Sequence, residues 1–407
     1  MNKFLKEFKD RGFFYQCTSE KELSQKLDKE KIKAYIGFDC TAESLHVGSL
    51  LQIMCLRLLQ KYGHQPIVLL GGGTTRIGDP SGKDKTRQIL DEKTIEKNIK
   101  NIEKILKIFL HSDNKETKPI FVNNYDWLKN LNYISFLRDI GKHFTINKML
   151  SFDSVKLRLE REQSLSYMEF NYMILQAYDF LELNKKQNCL LQIGGSDQWG
   201  NIVNGVELIK RYSSNEVYGL TTELITLASG AKMGKTENGA IWLDKELFSI
   251  FDYWQFWRNT DDRDVLKFLK MFTDLKLSEI ETISNKDINQ QKIILANETT
   301  SMLYGLDEAM KAESIAQNSF AGNSSGENLP DIKLDKSNIN NNIINLISNI
   351  DKKLSKSEIR RLIKSNGIKI NNKTISDEKF IISKELINQT NFIKLSIGKK
   401  KHYKIVF

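Results

Sequence analysis

The 407-residue sequence predicts a doubly wound α/β domain on a parallel sheet, followed by a helical domain and a small basic α+β domain. Three observations carry this. Strand and helix patterns alternate through the first 230 residues or so, apolar residues recur at helical spacing from about Leu247, and the net positive charge collects at the end of the chain.

The first strand is the apolar run Ala34 to Phe38. An apolar-periodic helix follows from Leu50 to Leu59, then a second strand from Pro66 to Leu70, which together make a parallel βαβ unit. A second such passage runs from a helix over Tyr167 to Leu183, through a strand over Cys189 to Ile193, into a helix beginning near Gln198. Ligands of such folds lie beyond the carboxyl ends of the strands. In the helical part, Phe251, Tyr253, Trp254, Phe256 and Trp257, then Val265, Phe268, Leu269 and Phe272, read as core rather than as a base-stacking platform. Residues 318–330 are rich in turn formers and read as linker, with Asn340 to Asn342 close behind. Beyond them Ser355 and Glu358 have capping-box spacing and Asn366-Gly367 supplies a stop, which predicts a short helix. Its Leu354, Ile359, Leu362 and Ile363 face inward, and Lys356, Arg360 and Lys364 form a basic ridge opposite.

With 40% hydrophobic and 28% charged residues the chain reads as globular, and its length suggests two or three domains. No apolar run reaches the ~18 residues of a membrane span. The amino-terminal stretch mixes Glu7 and Asp10 with its lysines, so neither signal peptide nor anchor is expected. Cys17, Cys40, Cys55 and Cys189 show no metal spacing and no disulfide framework, which makes a cytoplasmic location the default expectation. Residues 351–407 hold 15 Lys and Arg against 5 Asp and Glu, leaving 46 of each sign in residues 1–350. A neutral body with a basic tail points to a polyanionic partner or to a solubilising tail, and charge does not separate the two.

Two segments invite a P-loop reading. Gly78-Asp-Pro-Ser-Gly82-Lys83 and Gly230-Ala-Lys-Met-Gly234-Lys235-Thr236 each place three residues between the glycines where a phosphate cradle needs four, so both fail. Gly71-Gly72-Gly73 followed by Arg76 also fails the dinucleotide pattern. The third candidate is the strand, loop and helix start from Tyr35 to Ser49, with His46-Val-Gly48 at the helix amino terminus, where unpaired N–H groups suit an anion and Gly48 lets a base or ribose approach.

His46-Val-Gly48, followed far downstream by Lys232-Met-Gly-Lys-Thr236, resembles the paired signatures of class I aminoacyl-tRNA synthetases. Tyr35-Ile-Gly-Phe-Asp39, Gly78-Asp-Pro-Ser-Gly82, Tyr172-Met-Ile-Leu-Gln-Ala-Tyr-Asp179 and Gln192-Ile-Gly-Gly-Ser-Asp-Gln-Trp-Gly200 narrow the likeness to the bacterial-type tyrosyl-tRNA synthetases, over essentially the whole chain. The resemblance implies a Rossmann-like catalytic domain with a subunit-contact insertion over 1–240, a helical anticodon-side domain over 241–325, a linker over 326–350 and an RNA-binding domain of the ribosomal protein S-four type over 351–407. It implies activation of L-tyrosine by ATP to tyrosyl adenylate, then transfer to the 3′ end of tRNA(Tyr), in a homodimer whose contact region includes Phe136 to Ile146. No membrane partner is implied.

The resemblance also assigns roles. Tyr35 and Asp179 correspond to the pair on the phenolic hydroxyl of tyrosine; Tyr172, Gln176 and, less directly, Asp39 correspond to groups around its ammonium. Without the resemblance, the i, i+4, i+7 spacing of Tyr172, Gln176 and Asp179 reads equally as a solvated helix face. His46 and Gly48 would hold adenosine and phosphates, Asp197 the ribose and Gln198 the reacting carboxylate. Lys232, Lys235 and Thr236 would close over pyrophosphate. Lys83 and Arg87 are a second cationic pair on ATP, or surface charges. Lys356, Arg360, Arg361, Lys364 and Lys369 would meet RNA phosphates. Magnesium is expected with ATP, with no dedicated protein site. Ser49 stands where the family often has a second histidine, and Cys40 where proline is common. The rival readings are a nucleotidyl transferase with another acceptor, including a tryptophan enzyme, and an idle RNA-binding protein on a synthetase body.

Overall fold

The computed structural model describes residues 1–81, 90–230, 233–236, 239–320, 331–333, 341–351, 354–383, 386, 392–398 and 401–406. Two compact units result, Met1–Tyr304 and Gly305–Phe407.

The first unit is built on a six-stranded sheet of β1 (Phe14–Cys17), β2 (Lys33–Phe38), β3 (Gln65–Leu70), β4 (Ile120–Asn123), β5 (Cys189–Gly195) and β6 (Tyr218–Thr222), in the order β1-β6-β5-β2-β3-β4. Five strands are parallel, as expected. The edge strand β1 departs from the all-parallel expectation by pairing antiparallel with β6. A hydrophobic, fully buried β5 in the middle of the sheet has the composition of a strand covered on both faces. The helix Val47–Lys61 covers it with Leu50, Ile53, Met54 and neighbours buried. The helix Glu92–Phe109, absent from the expected elements, buries Ile95, Ile102, Ile105 and Phe109 at helical spacing behind an Asp91 cap.

The helical segment begins at Ile250 and packs its aromatics inward as expected, with Trp254 and Trp257 at 1% and 0% exposure. As far as Tyr304 it forms one unit with the α/β body, and the helix Leu306–Phe320 falls in the second unit. The buried Arg11 guanidinium explains part of this, donating to the carbonyls of Lys270, Thr273 and Leu275. A small hairpin, β7 (Lys235–Thr236) with β8 (Gly239–Ala240), follows the main sheet.

In the second unit, β9 (Asp331–Lys333), β10 (Ile368–Ile370), β11 (Lys373–Thr374), β12 (Phe392–Ile397) and β13 (Lys401–Val406) pair in the order β11-β10-β12-β13-β9. The expected helix is present as Lys356–Lys364 with a complete Ser355–Glu358 capping box, and Asn366 supplies the left-handed stop at φ 58°. The span expected as linker over 326–350 is different in part. Ile343–Ile350 is a helix whose Ile343, Leu346 and Ile347 are buried in the tail's own core, because four isoleucines and a leucine in eight residues cannot be left in water.

Candidate active site

The order β5-β2-β3 puts the topological switch between β2 and β5, since the chain winds outward from each in opposite directions. A cleft of about 510 Å³ opens there, lined among others by Tyr35, Asp39, His46, Gln176, Asp179 and Gln198. Those six come from β2, the loop after it and two helices.

In the depth of the cleft, Tyr35 projects from β2 at 1% exposure, and its hydroxyl has no hydrogen-bond partner among the described residues. The ring packs at 5.3 Å against Phe180. The helix Tyr167–Gln187 is started by the Ser166–Glu169 capping box that its sequence announces, and it buries Tyr172 and Asp179 on the side facing Tyr35 and Asp39. The Asp179 carboxylate accepts from Trp127 Nε1 at 2.7 Å and from Asn124 Nδ2 at 2.9 Å. Burial nonetheless pushes its carboxyl up to about 7, against the lowering by those two donors. Burial and the Asp179 charge hold the Tyr35 phenol well above its ordinary range, so it remains a neutral donor.

Beside this pair lies a carboxylate cluster. Asp39 accepts from the Tyr172 hydroxyl and from Thr74 Oγ1, each at 2.9 Å. Asp79 accepts from Gln198 Nε2 at 2.8 Å, and burial followed by the Asp39 charge raises its carboxyl to about 6. Asn201 donates to both Gln176 and Gln198. The Asp39 charge that raises the proton affinity of Asp79 marks a place where a cation is stabilised. Asp79, Thr74, Asn124, Trp127 and Asn201 are additions to the expected site residues. Asp79 carries a sequence signal, because it lies in the Gly78-to-Gly82 segment that resembles the synthetases while failing as a P-loop.

The two signatures meet. His46 caps Val47–Lys61, its Nδ1 accepting from Gly48 N at 3.0 Å. A Cβ at Gly48 would lie 2.6 Å from His46 Cε1 and 3.0 Å from the Met233 carbonyl. Gly234, at φ 90°, approaches so closely that its own Cβ would sit 2.9 Å from Gly48 N. Backbone pairing stitches this together, with Val47 N on Ile241 O, Leu243 N on Leu45 O and Ile241 N on Gly234 O. Gly48 is required by contact, and Gly234 both by contact and by its positive φ. Lys235 and Thr236 follow directly in β7, while Lys232, Lys83 and Arg87 lie outside the described residues. Asp197 is exposed on the turn after β5 and lines the cleft with Gln198.

In the second unit Lys356, Arg360, Arg361, Lys364 and Lys369 are all exposed. The ridge is less bare than its sequence suggests, because Glu378 lies 3.5 Å from both Arg360 Nε and Lys364 Nζ.

A family model for tRNA synthetases of class I (W and Y) matches residues 27–321. A tyrosine–tRNA ligase of Pelagibacter ubique is 75% identical over 100% of this chain and 99% of its own length, and one from a Wolbachia of Culex pipiens is 53% identical over 100% and 98%. The C-terminally truncated mitochondrial tyrosyl-tRNA synthetase of Aspergillus nidulans superposes with a TM-score of 0.70 at 31% identity, over 77% of this chain and 93% of that one. With its two signatures joined over one cleft and these relatives spanning its length, the chain belongs to the class I tRNA synthetases of the tryptophan and tyrosine family.

Proposed function

We propose that this tyrosine–tRNA ligase reads its amino acid through Tyr35 and Asp179. The observation that carries the reading is the buried, unpartnered Tyr35 hydroxyl lining the same cleft as the buried Asp179 carboxylate. A substrate phenol accepts from the first and donates to the second. Phenylalanine would leave the Tyr35 hydroxyl unpaired and deny the buried Asp179 carboxylate the phenol donor it receives beside Trp127 and Asn124, a penalty far larger than a missing methylene. Asp39, Asp79, Tyr172 and Gln176 surround the ammonium, and Gln198 stands beside the carboxylate that reacts.

The enzyme makes tyrosyl adenylate from tyrosine and ATP, expelling pyrophosphate, then passes tyrosine to tRNA. The tyrosine carboxylate attacks the α-phosphate, so no protein nucleophile is needed. Catalysis is positioning plus stabilisation of spreading phosphate charge. His46 and Gly48 seat the adenosine and phosphates on the amino terminus of Val47–Lys61, Asp197 takes the ribose, and Lys232, Lys235 and Thr236 face the pyrophosphate. Lys83 and Arg87 add positive charge. Ser49 keeps one hydroxyl donor in place of an imidazole. Among the described residues no group of three or more His, Cys, Asp or Glu side chains is placed to hold a metal ion. Magnesium enters with ATP as part of the substrate.

Amino-acid-dependent ATP–pyrophosphate exchange tests this: tyrosine should support it and tryptophan should not. Exchange with tryptophan, or with no amino acid, would refute it.

The helical segment is assigned to the anticodon side and the basic tail to tRNA. We further infer a homodimer, because Tyr133, Ile134, Leu137 and Ile146 leave a contiguous stretch of sequence with large apolar side chains exposed, Ile134 at 70%. A monomeric mass in light scattering would contradict it. No described helix is long and apolar enough to cross a membrane, and a cytoplasmic location is proposed.

A further inference from the structure

We propose that Asp264 is a positioning residue for the loop that carries the second signature, fastening it to the helical segment. The proposal rests on the reading of residues 232–236 as the pyrophosphate-facing loop. Asp264 occupies the N-cap position of the helix Val265–Phe272, where an aspartate ordinarily accepts from the first backbone N–H groups of its own helix. It makes no such cap. Its Oδ2 instead accepts from Ala228 N at 2.7 Å, and the residue is 6% exposed. The two preceding carboxylates are engaged elsewhere, Asp261 with Arg263 and Asp262 with Lys292.

Ala228 is a mechanically useful place to hold. It lies in a tight turn closed by Gly230 N on Leu227 O, with Gly230 at φ 81°. The base of that turn is closed by Met233 N on Ile225 O, and Thr226 and Met233 both line the cleft. A carboxylate gripping Ala228 therefore sets the position of a small closed loop from which Gly234 to Thr236 lead off. On its far side the same loop is tied to the first signature, through Ile241 N on Gly234 O and Val47 N on Ile241 O. Without the Asp264 hydrogen bond this mooring is released, and the loop would sample positions away from the phosphates. Tyrosine contacts on Tyr35 and Asp179 do not pass through it.

The test compares Asp264→Ala, Asp264→Asn and Lys235→Ala in tyrosine-dependent pyrophosphate exchange, together with tyrosine dissociation constants, thermal melting and trypsin cleavage at Lys232 and Lys235. Asp264→Ala should lower the exchange kcat roughly tenfold with tyrosine affinity within about twofold of the parent, because a charged acceptor is removed from the loop and none from the tyrosine pocket. Cleavage at Lys232 and Lys235 should accelerate in the folded variant. Asp264→Asn keeps an oxygen acceptor for Ala228 and should recover most of the rate. Unchanged kcat in Asp264→Ala beside an impaired Lys235→Ala would overturn the anchor while leaving the loop's role intact. Parallel loss of melting temperature, tyrosine affinity and rate in both Asp264 variants would also overturn it, as a purely structural role. If Lys235→Ala keeps full rate, the loop's assignment fails instead; faster trypsin cleavage of Asp264→Ala still supports the mooring, and unchanged cleavage overturns it.

Discussion

Asp179 is buried and gripped by two side-chain donors, whereas Lys235 and Thr236 sit on a two-residue strand paired with Gly239 and Ala240 beside three glycines at positive φ. Met233, just before that strand, lines the same cleft as Asp179, yet the two regions answer different demands. Telling tyrosine from phenylalanine requires groups that cannot relax around the wrong substrate, so their desolvation must be locked in. Admitting ATP and releasing pyrophosphate requires a segment that can move, held by few contacts.

If that division is right, substitutions in the two regions should separate binding from rate. The largest effect is expected for Lys235→Ala, which should slow adenylate formation by roughly 10² or more with tyrosine affinity little changed, because the charge it offsets develops in the transition state. Weakened tyrosine binding as its sole effect would break the comparison. Asp179→Ala should lower kcat/KM for tyrosine by about 30- to 150-fold, on the order of 2 to 3 kcal/mol for removal of a charged acceptor. A loss confined to ATP would be equally damaging.

Proton linkage sharpens the buried side of the comparison. Burial pushes the carboxyl of Asp179 up to about 7 and that of Asp79 up to about 6, and on the proposed reading both meet tyrosine as carboxylates. The affinity they supply is therefore complete only from about pH 8 and is lost as pH falls through 7 and then 6. The tyrosine dissociation constant should rise several-fold between pH 8 and pH 5.5, and Asp79→Asn should flatten the lower part of that curve. A constant affinity over the range would show that neither carboxylate is used in ionised form. The smallest effect is expected in the tail. Neutralising Lys356, Arg360 and Lys364 should reduce the salt slope of tRNA binding by up to about 0.7 to 0.9 for each phosphate left without its cation, with exchange untouched. Glu378→Gln should change the slope the other way, since it releases Arg360 and Lys364 from their carboxylate. An unmoved slope in both would favour a solubilising tail.

Much of this is written locally in the chain. The strands from Lys33 and Cys189, the capping boxes at Ser166 and Ser355, and the helical face shared by Tyr172, Gln176 and Asp179 all follow from spacing over a few residues. What escapes a local reading depends on distant pairing. Asn124 bridges Thr74 and Asp179, 50 and 55 residues away, and nothing near Asn124 marks it as a site residue. Glu378 tempers the basic ridge from a separate segment. The antiparallel β1 and the buried helix Ile343–Ile350 are hidden in the sequence because a short edge strand and an asparagine-rich approach both look like connection.

The pairing of Tyr35 with Asp179 on one phenol is tested most directly by Tyr35→Phe, measured in pyrophosphate exchange with tyrosine and with phenylalanine. Removing the hydroxyl removes the buried group that phenylalanine leaves unpaired. The ratio of kcat/KM for tyrosine over phenylalanine should fall by about tenfold, with tyrosine losing and phenylalanine holding or gaining. An unchanged ratio would contradict the assignment of the Tyr35 hydroxyl to substrate recognition.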